Sequence, residues 1–260
     1  MARKLAGRRL IALTFNAIGQ YGRNMVAAAP WSLCVFFLSL PFALLASKSV
    51  GAIQFVFLLL ALINLLALAR MTFAWMDVVA SRDVVIEQPK RPANAEAKHL
   101  ALLVLFVVVA GAVLRASADI PLWLYFALNS GGDAKFFGAL FSVLGLIWVP
   151  TIYAGAVYVP SLPRAALSRE YGFKEVRQTM VFRRWPLAIV LFGLVVSAGV
   201  TKTLVVDVAR RVTLSGIAYG LLGMLICTAM MVIAAVMAAV AYRESSRGSE
   251  ESIGGAAVVV

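Results

Sequence analysis

Polar and apolar positions along this chain separate into long blocks instead of alternating within short elements. Six blocks are apolar for about 20 residues or more, the length needed to cross a bilayer core: 28–47, 51–76, 99–117, 136–159, 186–206 and 214–242. Helices are the reading they allow, because an open sheet leaves backbone groups unpaired in lipid. The blocks are also too long and unbroken for barrel strands, which show a two-residue alternation. The expected fold class is all-α: an integral membrane protein with six transmembrane helices.

The segments between the blocks carry their own periodicity. Over 4–26, Arg9, Asn16, Gln20 and Arg23 share one helical stripe, while Leu10, Ile11, Phe15, Ile18 and Met25 occupy the rest. A basic amphipathic helix of this kind rests on headgroups and buries its apolar side at the acyl boundary. Pro30 marks the turn into the first span, and Trp31 is placed as an interfacial anchor. Residues 164–184 repeat the device, with Phe173, Val176, Met180 and Val181 on one face. A weaker version, Pro92 to His99, precedes the third span. Together these predict a threefold unit of interfacial helix, span out and span back. The expected organisation is an interfacial helix over 1–27, a membrane domain over 28–242 and a disordered tail over 243–260. Ala116–Lys135, the longest outer loop, has room for a short helix at the interface.

Composition agrees with the blocks. The chain is 62% hydrophobic and 14% charged, more apolar and less charged than soluble domains. The net charge of +12 would suggest nucleic acid in a soluble protein. Here the basic residues lie between apolar blocks, which points to orientation and anionic headgroups, with no nucleic-acid partner expected. With the N-terminus inside, the outer segments hold only Lys48, Arg115, Lys135, Lys202, Arg210 and Arg211, and the other 18 of the 24 Lys and Arg lie inside. This positive-inside asymmetry predicts a cell inner membrane protein with both termini cytoplasmic. Met1–Arg9 followed by Ala27-Ala28-Ala29 has the outline of a secretory signal. Asn16, Gln20 and Arg23 interrupt its core, so the N-terminus is expected to be retained.

Candidate chemistry is sparse. Cys34 and Cys227 sit inside apolar blocks without metal-ligand spacing. His99, the single histidine, lies at the start of the third span without a carboxylate or cysteine partner in sequence. No phosphate loop, HExxH or G-x-S-x-G motif is present. The expectation is that the protein is not an enzyme and takes no cofactor or metal. Arg70 and Asp77, seven residues apart, fall on one face of the second span, and Asn64 and Gln54 are polar groups within it. Ionisable residues in a span are functional candidates, although an ion pair near the inner surface explains these two as well, and Asn64 suits interhelical hydrogen bonding. Candidate headgroup contacts are Arg8, Arg9, Arg23, Lys174, Arg177, Arg183 and Arg184. Gly216-x-x-x-Gly220 is a small-residue step suited to helix association.

Three stretches carry a resemblance. Asn16-Ala-Ile-Gly-Gln-Tyr-Gly-Arg-Asn24, Tyr158 to Trp185 with Pro160, Glu170 and Gly172, and Ala241-Tyr-Arg-Glu244 resemble motifs of the YciC-like family, the membrane domain attached to some glycerophosphodiester phosphodiesterases. Ser245-Ser246 stand where that family has a leucine and a basic residue, and the Pro160–Glu170 spacing is longer. The resemblance implies six spans with interfacial helices feeding alternate ones. It does not carry phosphodiesterase activity, whose His-, Glu- and Asp-rich domain has no counterpart in these residues. The expected function is non-enzymatic: an accessory, lipid-handling or membrane-organising role. It would act through anionic lipids, a protein partner or a second copy, at a basic cytoplasmic face. The alternative is a small-solute transporter or channel with a polar path near Asn64, Arg70 and Asp77.

Overall fold

The computed structural model describes residues 6–46, 51–81, 94–129, 131–168, 173, 176, 182–211 and 213–257. Every regular element among them is a helix: α1 (Gly7–Ala28), α2 (Pro30–Leu45), α3 (Ala52–Ser81), α4 (Ala95–Ala118), α5 (Ile120–Leu128), α6 (Ala134–Tyr158), α7 (Ser161–Ser168), α8 (Trp185–Arg210) and α9 (Leu214–Ala257). The apolar blocks became α2, α3, α4, α6, α8 and α9, with starts within about four residues of those expected. Five helices are long and apolar enough to cross a membrane, or six if α1 and α2, bent 85° to one another, form one span. The arrangement is compatible with a multi-pass membrane protein. α2 alone, with 16 residues, falls just short of the about 17–25 that a span takes.

Local chemistry explains the breaks. Pro30 occupies the first turn of α2, where its missing N–H costs nothing. α5 ends on Asn129 in the left-handed conformation (φ 52°), which Asn tolerates. Asp133 then caps α6, its carboxylate accepting from the Phe136 N–H at 2.8 Å. Pro150 is carried inside a continuous α6, and Pro160 follows its end. α5 is the short helix for which the outer loop has room.

α2 pairs with α3 and α8 with α9 along much of their length. In the second pair, the Thr201 hydroxyl donates to the Gly223 carbonyl at 2.9 Å. A Cβ at Gly223 would meet Thr201 Oγ1 at 3.1 Å and Leu204 Cδ1 at 3.2 Å. The glycine side of α9 is thus occupied by α8 of the same chain, which limits its use for a second copy.

α1 lies across one end of the bundle, against α3, α8 and α9. Its buried positions, Gly7, Leu10, Thr14, Ala17, Tyr21 and Met25, recur every three or four residues. Arg9, Asn16, Gln20 and Arg23 form the exposed stripe, as their spacing predicts. The difference lies in what covers the buried stripe, which is protein instead of lipid. Two contacts hold it. The Trp75 indole N–H donates to the Met25 carbonyl at 3.0 Å, and Gly7 faces the Trp185 ring so closely that a Cβ would come within 2.7 Å of it. We call this the capped end.

Two further expectations meet a different outcome. Ala95–His99 is the opening of α4, continuous with it, and not a separate interfacial helix. α9 is helical through Arg243 to Ala257, where the composition suggests an unstructured tail. Ser245 and Ser246 donate back to the carbonyls of Ala241 and Tyr242, keeping their hydroxyls satisfied inside the helix. Of the segment 164–184, residues 169–172, 174–175 and 177–181 lie outside the described set.

Candidate functional site

The polar residues of α3 do not converge. Asn64 is 7% exposed and turns to α2, donating to the Phe36 carbonyl at 2.8 Å and to Ser39 Oγ at 3.0 Å. It is the interhelical bond that its type and position favour. Arg70 is on the surface, its Nε 3.8 Å from Glu96 of α4, with both side chains more than half exposed. Such a pair contributes about 0–1 kcal/mol. Gln54 is exposed and Asp77 is half-buried. Asn64 and Arg70 are therefore held by different neighbours, and among the described residues no shared polar path joins them.

His99 is fully buried within the protein. Its Nδ1 lies 3.3 Å from the Leu162 carbonyl of α7, and its Nε2 3.0 Å from Thr72 Oγ1 of α3. A carbonyl only accepts, so Nδ1 carries the proton, and in the neutral ring Nε2 accepts from the Thr72 hydroxyl. Phe73 packs edge-on against the imidazole, with ring centroids 5.7 Å apart. The histidine thus ties α3, α4 and α7 together at the capped end. Sequence could not show this, because its partners are a threonine 27 residues away and a backbone carbonyl 63 residues away. Among the described residues, no group of three His, Cys, Asp or Glu could hold a metal ion.

The basic candidates divide. Arg8, Arg9 and Arg23 are exposed on the outward side of α1, near Phe15, itself 56% exposed. Arg183 is exposed. Arg184 donates to the Tyr153 hydroxyl at 3.3 Å, its guanidinium carbon 5.9 Å from the ring centroid. Lys174 and Arg177 lie outside the described residues.

The feature that sequence reading missed is a cavity of about 720 Å³ bounded by α3, α4, α6, α8 and α9. That is within the about 300–1,000 Å³ usual for ligand pockets. Its wall includes Phe106, Ala110 and Val113 of α4, Ile152 of α6, Leu194 of α8 and Met231 of α9. None of Gln54, Asn64, Arg70 or Asp77 borders it. The bordering residues with polar side-chain groups are Thr72, Trp148, Thr151 and Tyr158. Thr72 donates to Leu68 O at 2.8 Å or turns to His99, Thr151 donates to Ile147 O at 2.7 Å, and Trp148 Nε1 donates to Ser117 Oγ at 3.1 Å. The Tyr158 hydroxyl has no hydrogen-bond partner among the described residues. Beside the cavity α4 buries nothing beyond Leu103 and α6 nothing before Ala156, and the Trp148–Ser117 hydrogen bond joins the two helices again toward the outer end. Its rim residues Leu105 and Val109 are about half exposed.

No family model, curated protein or solved structure matches the chain.

Proposed function

We propose that the chain is a non-enzymatic inner-membrane protein that binds lipid, with its capped end and both termini in the cytoplasm. The observation carrying this reading is the outward side of α1. Arg8, Arg9 and Arg23 stand exposed there with Phe15, and Trp31, 83% exposed, sits just past the bend into α2. Because its apolar stripe packs on the protein, α1 leaves Arg8, Arg9 and Arg23 at the surface, where long side chains extend toward the headgroups around the capped end. Anionic headgroups attract each such charge by about 1 kcal/mol, with a reach limited to a Debye length. The surplus of Lys and Arg in the inner segments sets the orientation. The threefold unit and the YciC-like resemblance belong to this reading and rest on pattern and short motifs. The transporter alternative lacks a converging polar path to support it.

The test is thermal unfolding in nanodiscs of anionic against zwitterionic phospholipid. The wild type is expected to unfold at a higher temperature in the anionic discs, and salt is expected to erase the difference. Arg8→Gln/Arg9→Gln/Arg23→Gln is expected to lose most of it. Equal unfolding temperatures for the wild type in both lipids would refute the reading.

A further inference from the structure

We propose that the cavity between α3, α4, α6, α8 and α9 holds one acyl chain of a phospholipid from the leaflet at the capped end, its ester oxygens meeting Tyr158. The inference deepens the lipid-binding reading and rests on its orientation. It names a site distinct from the basic side of α1.

The first argument is height. Along α6 the cavity runs from Trp148 to Tyr158, and along α4 from Leu103 to Val113. At 1.5 Å per residue each is about 15 Å. That is the hydrocarbon depth of one leaflet, half of the roughly 30 Å core. The cavity is as tall as one lipid tail and lies at the depth where such tails are found.

The second argument is polarity. Water in a cavity needs two to four polar partners. Three of the four polar residues on this wall already spend their hydrogens on protein acceptors, in the bonds given above. What remains is apolar surface, suited to methylene groups and unsuited to a hydrated solute.

The third argument is the end of the site. Tyr158 closes α6 at the capped end, edge-on to Phe173, with ring centroids 5.9 Å apart. Its hydroxyl is the wall's donor without a partner among the described residues. A phospholipid ester carbonyl sits at this depth, just inside the headgroups, and accepts a hydrogen bond. Access is lateral, past the half-exposed rim residues Leu105 and Val109 of α4.

The experiment is native mass spectrometry of the full chain from nanodiscs, after stepwise removal of lipid by detergent. The wild type is expected to retain one phospholipid per chain after bulk lipid is gone. Ala110→Trp and Thr151→Trp, which fill the cavity from α4 and from α6, are each expected to lower retention by about tenfold. Val108→Trp, outside the wall on an exposed part of α4, should leave it unchanged. Tyr158→Phe removes one hydrogen bond and should weaken retention by about fivefold. If the cavity variants fail to fold, the wild type is reconstituted with a phospholipid carrying a diazirine on its acyl chain. Cross-links are then expected at 109–113 and 148–152 in preference to Phe141, an exposed residue off the wall. No retained lipid, equal retention in the filled variants, a retained free fatty acid or isoprenoid, or even cross-linking would each overturn the proposal. Failure of the α1 reading is separable, because Arg8→Gln/Arg9→Gln/Arg23→Gln should leave the retained lipid in place.

Discussion

At the capped end α9 buries every residue from Ala234 to Ala241, whereas α4 buries none beyond Leu103 and α5 none at all. Both regions are apolar, so hydrophobicity does not separate them. Side-chain size does. The buried run of α9 is Ala, Val and one Met, and small residues let backbones approach when lipid supplies no hydrophobic drive between helices. The outer part of α4 carries Leu105 and Val107-Val108-Val109, and α5 carries Trp123 and Phe126, all exposed. A large apolar side chain loses nothing by facing a tail. In this protein packing, and not apolarity, decides which residues are inside.

The comparison breaks first, and hardest, at the tryptophans. Trp75 is 2% exposed and joined to α1, while Trp123 is 77% exposed. Trp75→Ala is expected to cost about 3 kcal/mol, the low end for losing a buried aromatic. Trp123→Ala should change unfolding little, and equal losses in detergent melting curves would end the contrast. The glycines sharpen it at a smaller scale. Gly7→Ala forces a methyl against the Trp185 ring and should cost about 1–3 kcal/mol, read as faster proteolysis of α1. Gly111→Ala, which meets open space, should be neutral or stabilise α4 by about 0.5–1 kcal/mol. Smallest is the polar pair. Asn64→Ala should cost about 0.6–1.7 kcal/mol by loosening α2 from α3, and Gln54→Ala almost nothing. A larger effect at Gln54 in the same melting assay would count against the assignment of Asn64 as the interhelical tie.

Helices of this length announce themselves, since a block such as 186–206 has no other stable form in lipid. The polar stripe of α1 was also legible, because Arg9, Asn16, Gln20 and Arg23 obey helical spacing. What covers its other side was not legible, because a stripe containing Leu10, Ala17 and Met25 suits lipid and protein equally. The partners of His99 were not legible for a related reason: Thr72 and the Leu162 carbonyl lie far from it in sequence. The cavity left no signal at all. Its wall is assembled from five helices distant in sequence, and hydropathy does not report how helices meet.

The 85° bend between α1 and α2 has an elastic consequence. By turning at Ala29, the chain leaves α2 only 16 residues, about 24 Å of helix. Set across a hydrocarbon core of about 30 Å, that helix cannot make up the shortfall by tilting, which shortens its reach further. Were α2 to cross the bilayer, the lipids beside it would instead compress, thinning the membrane around that flank at a fraction of a kcal/mol per Å. For such a span a thinner host membrane would relax this strain, so bilayer thickness itself would act on the molecule through α2.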